Sequence, residues 1–154
     1  GASAAPWQVS ASRNGAPARA GIANDQGDRL AVFADRAGAV TLEFAPAAPS
    51  PLRTGSCPTF QIDARPLLHH GRAGETCTVD DHQARYSLGR ADNRRLESPP
   101  LYQLMNGSSV AFRFATRDGA YHEAKFPLTR SKNAILRVLG RDLDVQPGAA
   151  VEPP

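Results

Sequence analysis

Residues 29–44 have the sequence RLAVFADRAGAVTLEF, in which two apolar runs flank the turn formers of residues 35–38. In the second run, alternation places Val40, Leu42 and Phe44 on one face, as in a β-strand with one buried side. Two such runs joined by a short turn predict a β-hairpin.

Alternation of the same kind recurs along the chain. Thirteen glycines and thirteen prolines interrupt it at short intervals, which is typical of strands joined by turns. Asp118-Gly119 is a favoured hairpin dipeptide between two of the clearest candidates, whereas residues 72–81 are polar and are expected to form a loop. The further strand candidates, in decreasing clarity, are residues 109–114, 121–128, 59–63, 7–11, 84–88 and 67–70.

Two segments break the β pattern. A proline at its start and Asn106-Gly107 at its end predict one helical turn near residues 100–106. Ser131 is expected to cap a longer helix that ends at Gly140. The apolar face of that helix is expected to carry Ala134, Ile135, Val138 and Leu139.

These elements predict a mainly β protein, built as an antiparallel β-sandwich or flattened barrel with a short C-terminal helix. A single domain is expected over residues 7–145, since a chain of 154 residues can bury one sizeable core. Residues 1–6 are expected to be the remnant of a removed signal peptide or tag. Residues 146–154 are expected to form a disordered tail.

The charge pattern excludes some partners. The formal net charge is +3, and of the 18 basic residues only Lys125 and Lys132 are lysines. Acidic residues are interspersed and no dense basic run occurs, so nucleic-acid binding is not expected. No apolar run approaches the roughly 18 residues of a membrane-spanning helix, so no transmembrane segment is expected.

Cys57 and Cys77 are the only cysteines, and they lie among turn formers twenty positions apart. This arrangement suits a disulfide between neighbouring strands, and two unrelated reduced thiols are the alternative. Because disulfides persist in oxidising compartments, we expect a periplasmic or secreted protein.

The histidines offer one candidate metal site. Zinc or copper would be held by Asp80-Asp81-His82 together with His69 or His70. Their spacing matches no recognised ligand pattern, so scattered surface histidines and no cofactor are expected.

The sequence shows no catalytic signature. It lacks the G-x-S-x-G pattern of a nucleophile elbow, and its carboxylates lack the signature spacing of a glycosidase pair. We therefore predict that the protein is not an enzyme. The candidate acidic residues are expected to be solvent-facing strand residues: Glu43, Asp63, Glu97 and Glu123.

An arginine-rich stretch is the sharpest candidate for a binding surface. Arg85, Arg90, Arg94 and Arg95 lie within eleven residues, and guanidinium groups bind phosphate and carboxylate in a bidentate way. The predicted partner is acidic: lipopolysaccharide phosphate, a glycan or an acidic patch on a protein. The alternative is a solvated loop neutralised by nearby carboxylates.

Several short motifs follow one another in a characteristic order. They are Trp7-Gln8-Val9, Phe60-Gln61-Ile62-Asp63 after a proline-rich loop, Cys77, the LYQLMNG segment of residues 101–107, Phe126-Pro127-Leu128 and the helix that begins at Ser131. In this order the chain resembles the invasion-associated locus B family of bacterial envelope proteins. The resemblance implies an exported β-sandwich linked to host-cell association, with no catalytic residues to carry over.

The function expected from the sequence is that of a non-enzymatic, exported binding module. Its partner would be another envelope or host protein, or an acidic glycan. One alternative is a periplasmic inhibitor of an enzyme such as lysozyme, which would insert residues 57–77 into a cleft. The other is a histidine-based metal-binding protein.

Overall fold

The computed structural model describes residues 6–66 and 77–148, and these ranges contain eleven strands and two helices. The strands are β1 Gln8–Ser10, β2 Arg19–Ala23, β3 Arg29–Ala34, β4 Ala39–Ala45, β5 Thr59–Ile62, β6 Cys77–Val79, β7 Ala84–Arg90, β8 Arg95–Glu97, β9 Ser109–Ala115, β10 Tyr121–Pro127 and β11 Asp144–Gln146. The helices are α1 Pro99–Asn106 and α2 Ser131–Leu139.

The larger sheet has the strand order β1-β2-β3-β4-β7-β6 and is antiparallel throughout. The predicted hairpin of residues 29–44 is confirmed as β3 and β4. Leu30 lies opposite Phe44, and Val32 lies opposite Leu42. All four side chains are buried, because the pleat turns every second residue of each strand toward the same face.

A smaller antiparallel sheet has the order β10-β9-β5. Its β9–β10 hairpin is the one predicted around Asp118-Gly119. A third, two-stranded sheet pairs β8 with β11 in parallel. The parallel pair is possible because the intervening residues, which include both helices and the smaller sheet's hairpin, return the chain to β8.

The inner faces of the two antiparallel sheets pack on each other through aromatic rings. Phe44 of β4 stacks on Phe112 of β9 with ring centroids 4.3 Å apart. Phe60 of β5 meets Tyr86 of β7 edge-to-face at 5.1 Å. Aromatic side chains bury the most apolar area per residue, so these contacts form the centre of the core. The mainly β, sandwich-like fold is confirmed.

Helix α2 packs on α1 and on strands β1, β2 and β3 of the larger sheet. Its buried face includes Ala134 and Ile135, as predicted. The predicted cap at Ser131 is wrong. Arg130 holds the N-cap position in a left-handed conformation, while Ser131 is fully buried and its hydroxyl donates to the Leu104 carbonyl at 2.6 Å.

Helix α1 is longer than the single turn expected. Ser98 caps it by accepting from the Leu101 amide at 3.3 Å, and prolines occupy its first two positions. The helix ends at Gly107, where a Cβ atom would lie 2.5 Å from Ile62 Cγ2. Only glycine permits this close approach between the end of α1 and β5.

Some elements differ from the sequence expectation. Strand β6 lies within residues 72–81, which were expected to form a loop, and β8 begins at Arg95, the last residue of the arginine-rich stretch. Strand β11 continues to Gln146, one residue beyond the expected domain end. The weak strand candidate at residues 67–70 and most of the terminal segments, residues 1–5 and 149–154, lie outside the described residues. Within the described ranges, neither helix is long and apolar enough to cross a membrane.

Replacing Phe112 by alanine is expected to lower the free energy of unfolding by about 3–5 kcal/mol, because it removes a ring stacked between the two sheets. Denaturant unfolding measures the change. The matched control is Tyr121→Ala, which removes an aromatic ring that is 82% exposed and should change the free energy by less than about 0.5 kcal/mol. A loss below about 1 kcal/mol for Phe112→Ala would contradict this description of the core.

Candidate ligand-binding cleft

The disulfide between Cys57 and Cys77 is confirmed, with Cα atoms 6.6 Å apart. Cys77 belongs to β6, the edge of the larger sheet, and Cys57 lies just before β5 of the smaller sheet. Both residues are buried. The bond therefore joins the two sheets covalently at one end of the sandwich.

A cleft of about 620 Å³ opens beside this disulfide. Its polar lining includes Arg53, Thr59, Arg113, His122 and Glu123, and its apolar lining includes Leu52, Pro58, Phe114 and Tyr121. A concave site with apolar walls and a few convergent polar groups is the usual form of a small-ligand site.

Three chain segments assemble the cleft. Residues 51–53 pair with the end of β9: the Arg53 amide donates to the Ala115 carbonyl at 3.1 Å, and the Arg117 amide donates to the Pro51 carbonyl at 2.9 Å. Strands β9 and β10 set Arg113 opposite Glu123. The proline-rich loop predicted from the sequence thus brings Arg53 to the rim of the smaller sheet.

The two arginines of the cleft have different environments. Arg113 Nε donates to Glu123 Oε2 at 2.8 Å. The hydrogen bond from Arg113 is the main cause that lowers the pKa of Glu123, so this carboxylate is ionised and neutralises its partner. Arg53 is exposed and has no carboxylate partner among the described residues.

His122 contributes a third nitrogen-bearing side chain. Its ring stacks on Phe114 with centroids 5.2 Å apart, and its Nε2 lies 3.1 Å from Thr116 Oγ1. The Thr116 hydroxyl lies 2.5 Å from Asp118 Oδ1. The hydrogen bond from Thr116 is the main cause that lowers the pKa of Asp118, helped by the Ala120 amide.

Three of the four arginines predicted as a binding surface pair with carboxylates of the chain. Arg85 pairs with Glu43, Arg94 with Asp142 and Arg95 with Glu97. Arg90 ends β7, five positions from Arg85, which is about 17 Å along a strand. An acidic partner would have to compete with these carboxylates, and the binding role of the four arginines stays a prediction.

The structure places Glu43 differently from the expectation. It is only 8% exposed, although it lies on the outer face of β4, because Arg19 and Arg85 close over it at 2.8 and 2.9 Å. Burial alone would raise the pKa of Glu43, but the hydrogen bonds and charges of Arg19 and Arg85 outweigh it and lower the pKa. Arg19 is further held over the Phe33 ring at 4.4 Å.

Asp63 is exposed, as predicted, but it does not lie in a strand. It follows β5 in a left-handed conformation, with φ 54°, and its carboxylate accepts from the amides of Ser108 and Ser109 at 3.1 Å. It therefore orders the connection from α1 to β9. Glu97 and Glu123 are exposed strand residues, as predicted.

The candidate metal ligands are only partly within the described residues. His82 lies in an exposed turn in which Asp80 accepts from the His82 amide at 2.8 Å, and Asp81 pairs with Arg117. Residues 6–66 and 77–148 contain no group of three potential ligands. His69 and His70 lie outside those ranges, as do residues 67–76 of the segment predicted to act as an inhibitor loop, so both ideas stay predictions.

Sequence reasoning missed Arg53, Tyr121 and His122. Arg53 is a single basic residue in a proline-rich loop, and the other two lie in an ordinary strand pattern. The available signal was the large aromatic residue at an outward-facing position of β10, since exposed aromatic side chains are common at binding surfaces.

Comparisons with known proteins give no relative from which a function can be transferred: no family model, curated protein or solved structure matches the chain. The resemblance to the invasion-associated locus B family therefore stays a prediction.

Replacing Glu43 by glutamine is expected to lower the free energy of unfolding at neutral pH by about 1–2 kcal/mol, because both guanidinium groups keep their places but lose the negative charge between them. The folded-state pKa of Glu43 is below its ordinary value, so ionised Glu43 with its two arginines stabilises the fold above about pH 4.5 and less as the pH falls through the folded pKa. The difference between the two proteins should shrink below pH 4.5 in denaturant unfolding. The control is Glu97→Gln, which alters an exposed ion pair with Arg95. An equally large loss of unfolding free energy in this control would contradict the stabilising role of Glu43.

Proposed function

We propose that the protein is a non-enzymatic binding module that works outside the cytoplasm and holds acidic glycans in the cleft beside the disulfide. The observation that carries the proposal is that Arg53 and Tyr121 line the same cleft. Arg53 has no carboxylate partner among the described residues, and Tyr121 is 82% exposed.

The chemistry of the two side chains fits a sugar acid. A guanidinium group binds a carboxylate or sulfate in a bidentate, charge-assisted way. An exposed tyrosine offers a flat apolar face for the C–H side of a sugar ring and a hydroxyl for its polar edge. Thr59 and Glu123 at the same cleft supply further hydrogen-bonding groups for sugar hydroxyls.

The extracytoplasmic location is supported by the disulfide. A crosslink between two sheets persists where the surroundings are oxidising, and the Cys57–Cys77 bond lies beside the proposed site. The likeness in motif order to the invasion-associated locus B family agrees with an envelope protein of this kind.

The test is a calorimetric titration with oligogalacturonate, a chain of uronic acids, at low and physiological salt. Binding is expected to weaken with added salt because exposed charges are screened. The fully methyl-esterified oligomer, which has the same rings without the charges, should bind at least about tenfold more weakly.

The variants separate the two parts of the site. Arg53→Glu and Tyr121→Ala should each weaken binding by about tenfold or more. Lys132→Glu is the matched charge reversal on the exposed start of α2, and it should bind as the parent does. Equal affinity for charged and esterified oligomers, or loss of binding in Lys132→Glu alone, would overturn the proposal.

A further inference from the structure

A buried threonine fixes the orientation of His122 in the cleft. Thr116 is fully buried, and its hydroxyl lies 2.5 Å from Asp118 Oδ1, 3.1 Å from His122 Nε2 and 3.4 Å from the Ala120 carbonyl. The Asp118 carboxylate also accepts from the Ala120 amide at 3.0 Å. The hydroxyl, carboxylate and imidazole thus form one connected chain of hydrogen bonds.

The direction of each hydrogen bond follows from the number of protons. A hydroxyl has one proton, and an ionised carboxylate can only accept. The Thr116 hydroxyl therefore donates to Asp118, the shortest of its contacts, and its lone pair accepts from His122. Nε2 of His122 must then carry a proton. Because a neutral imidazole has one N–H, the lone pair of neutral His122 lies on Nδ1.

Nδ1 of His122 is accessible to solvent. No hydrogen bond to this atom exists within the described residues, and the one buried side-chain nitrogen or oxygen without a partner there is Gln103 Oε1. His122 itself is half-buried and lines the cleft. A proton that binds to His122 must therefore bind at Nδ1.

We propose that His122 is a proton-dependent anion-binding residue, which gains an N–H donor and a positive charge at Nδ1 in mildly acidic solution and then holds acidic ligands together with Arg53. This inference rests on the proposed function of the cleft and adds its regulation by pH. Neutral His122 presents only a lone pair to the ligand, which repels a carboxylate or sulfate oxygen.

The other charged groups around the cleft do not change state over the same range. The groups that face His122 or share its cleft are Asp118, Arg53, Arg113, Glu123 and Tyr121. The pKa values of Asp118 and Glu123 are both lowered, so these carboxylates stay ionised. Guanidinium groups keep their proton throughout this range.

The main experiment compares binding at pH 7.5 and pH 5.5 for the parent, His122→Gln and His82→Gln. The probes are oligogalacturonate and inorganic sulfate, which keep their charge over this range. For the parent, affinity is expected to rise about tenfold at the lower pH, because one charge-assisted hydrogen bond to the ligand is added. His82→Gln, which alters an exposed histidine outside the cleft, should keep the rise, and His122→Gln should lose it.

The outcomes distinguish the two proposals. If oligogalacturonate binds with the same affinity at both pH values, or if His122→Gln keeps the pH dependence, the role of His122 is overturned and the glycan proposal stands. If oligogalacturonate does not bind, but sulfate binds more tightly at pH 5.5 and this increase requires His122, the proposal that the ligand is an acidic glycan is overturned and the role of His122 stands. No binding of either probe overturns both.

Nitrogen-15 NMR provides a readout that does not depend on a ligand. Above pH 8 the His122 ring is expected to show the Nε2–H form, and Thr116→Val should remove that preference by removing the acceptor. A ring protonated at Nδ1 in the neutral parent protein would overturn the proton assignment on which the proposal depends.

Discussion

The covalent link between Cys57 and Cys77 is the constraint on which the site depends. It joins the edge strand of the larger sheet to the segment that leads into the smaller one. Aromatic packing between Phe44 and Phe112 holds the sheets together at their centre, and the cleft opens beside the disulfide. A crosslink there restrains the wall of the cleft against separation of the sheets, and reduces the number of unfolded conformations.

Charge is distributed over the two sheets in unlike ways. On the outer face of the larger sheet, Glu43 is enclosed by Arg19 and Arg85, so the charges satisfy one another and chiefly stabilise the fold. In the cleft, Arg113 pairs with Glu123, whereas Arg53 has no carboxylate partner among the described residues. Arginine and glutamate side chains therefore stabilise the outer face of the larger sheet, whereas in the cleft we propose that they take part in ligand binding.

Local features of the sequence were sufficient for the hairpins β3–β4 and β9–β10, because alternation and turn residues lie within one short window. They were not sufficient for β8 and β11, whose parallel pairing joins segments far apart in the chain. Glu43 looked exposed for the same reason, since its two partners belong to different strands. The cleft combines Arg53 with Tyr121, 68 positions later, and only the folded register brings such residues together. The disulfide was predictable because the chain has just one pair of cysteines.

The most direct test is a count of free thiols in protein exported by a bacterial host and never exposed to reductant. The unfolded protein is alkylated before and after reduction, and its mass is measured. No modified cysteine is expected before reduction, and two are expected afterwards. Two modified cysteines before reduction would contradict this, since the sheets would then lack their covalent link and the proposed location outside the cytoplasm would lose its main support.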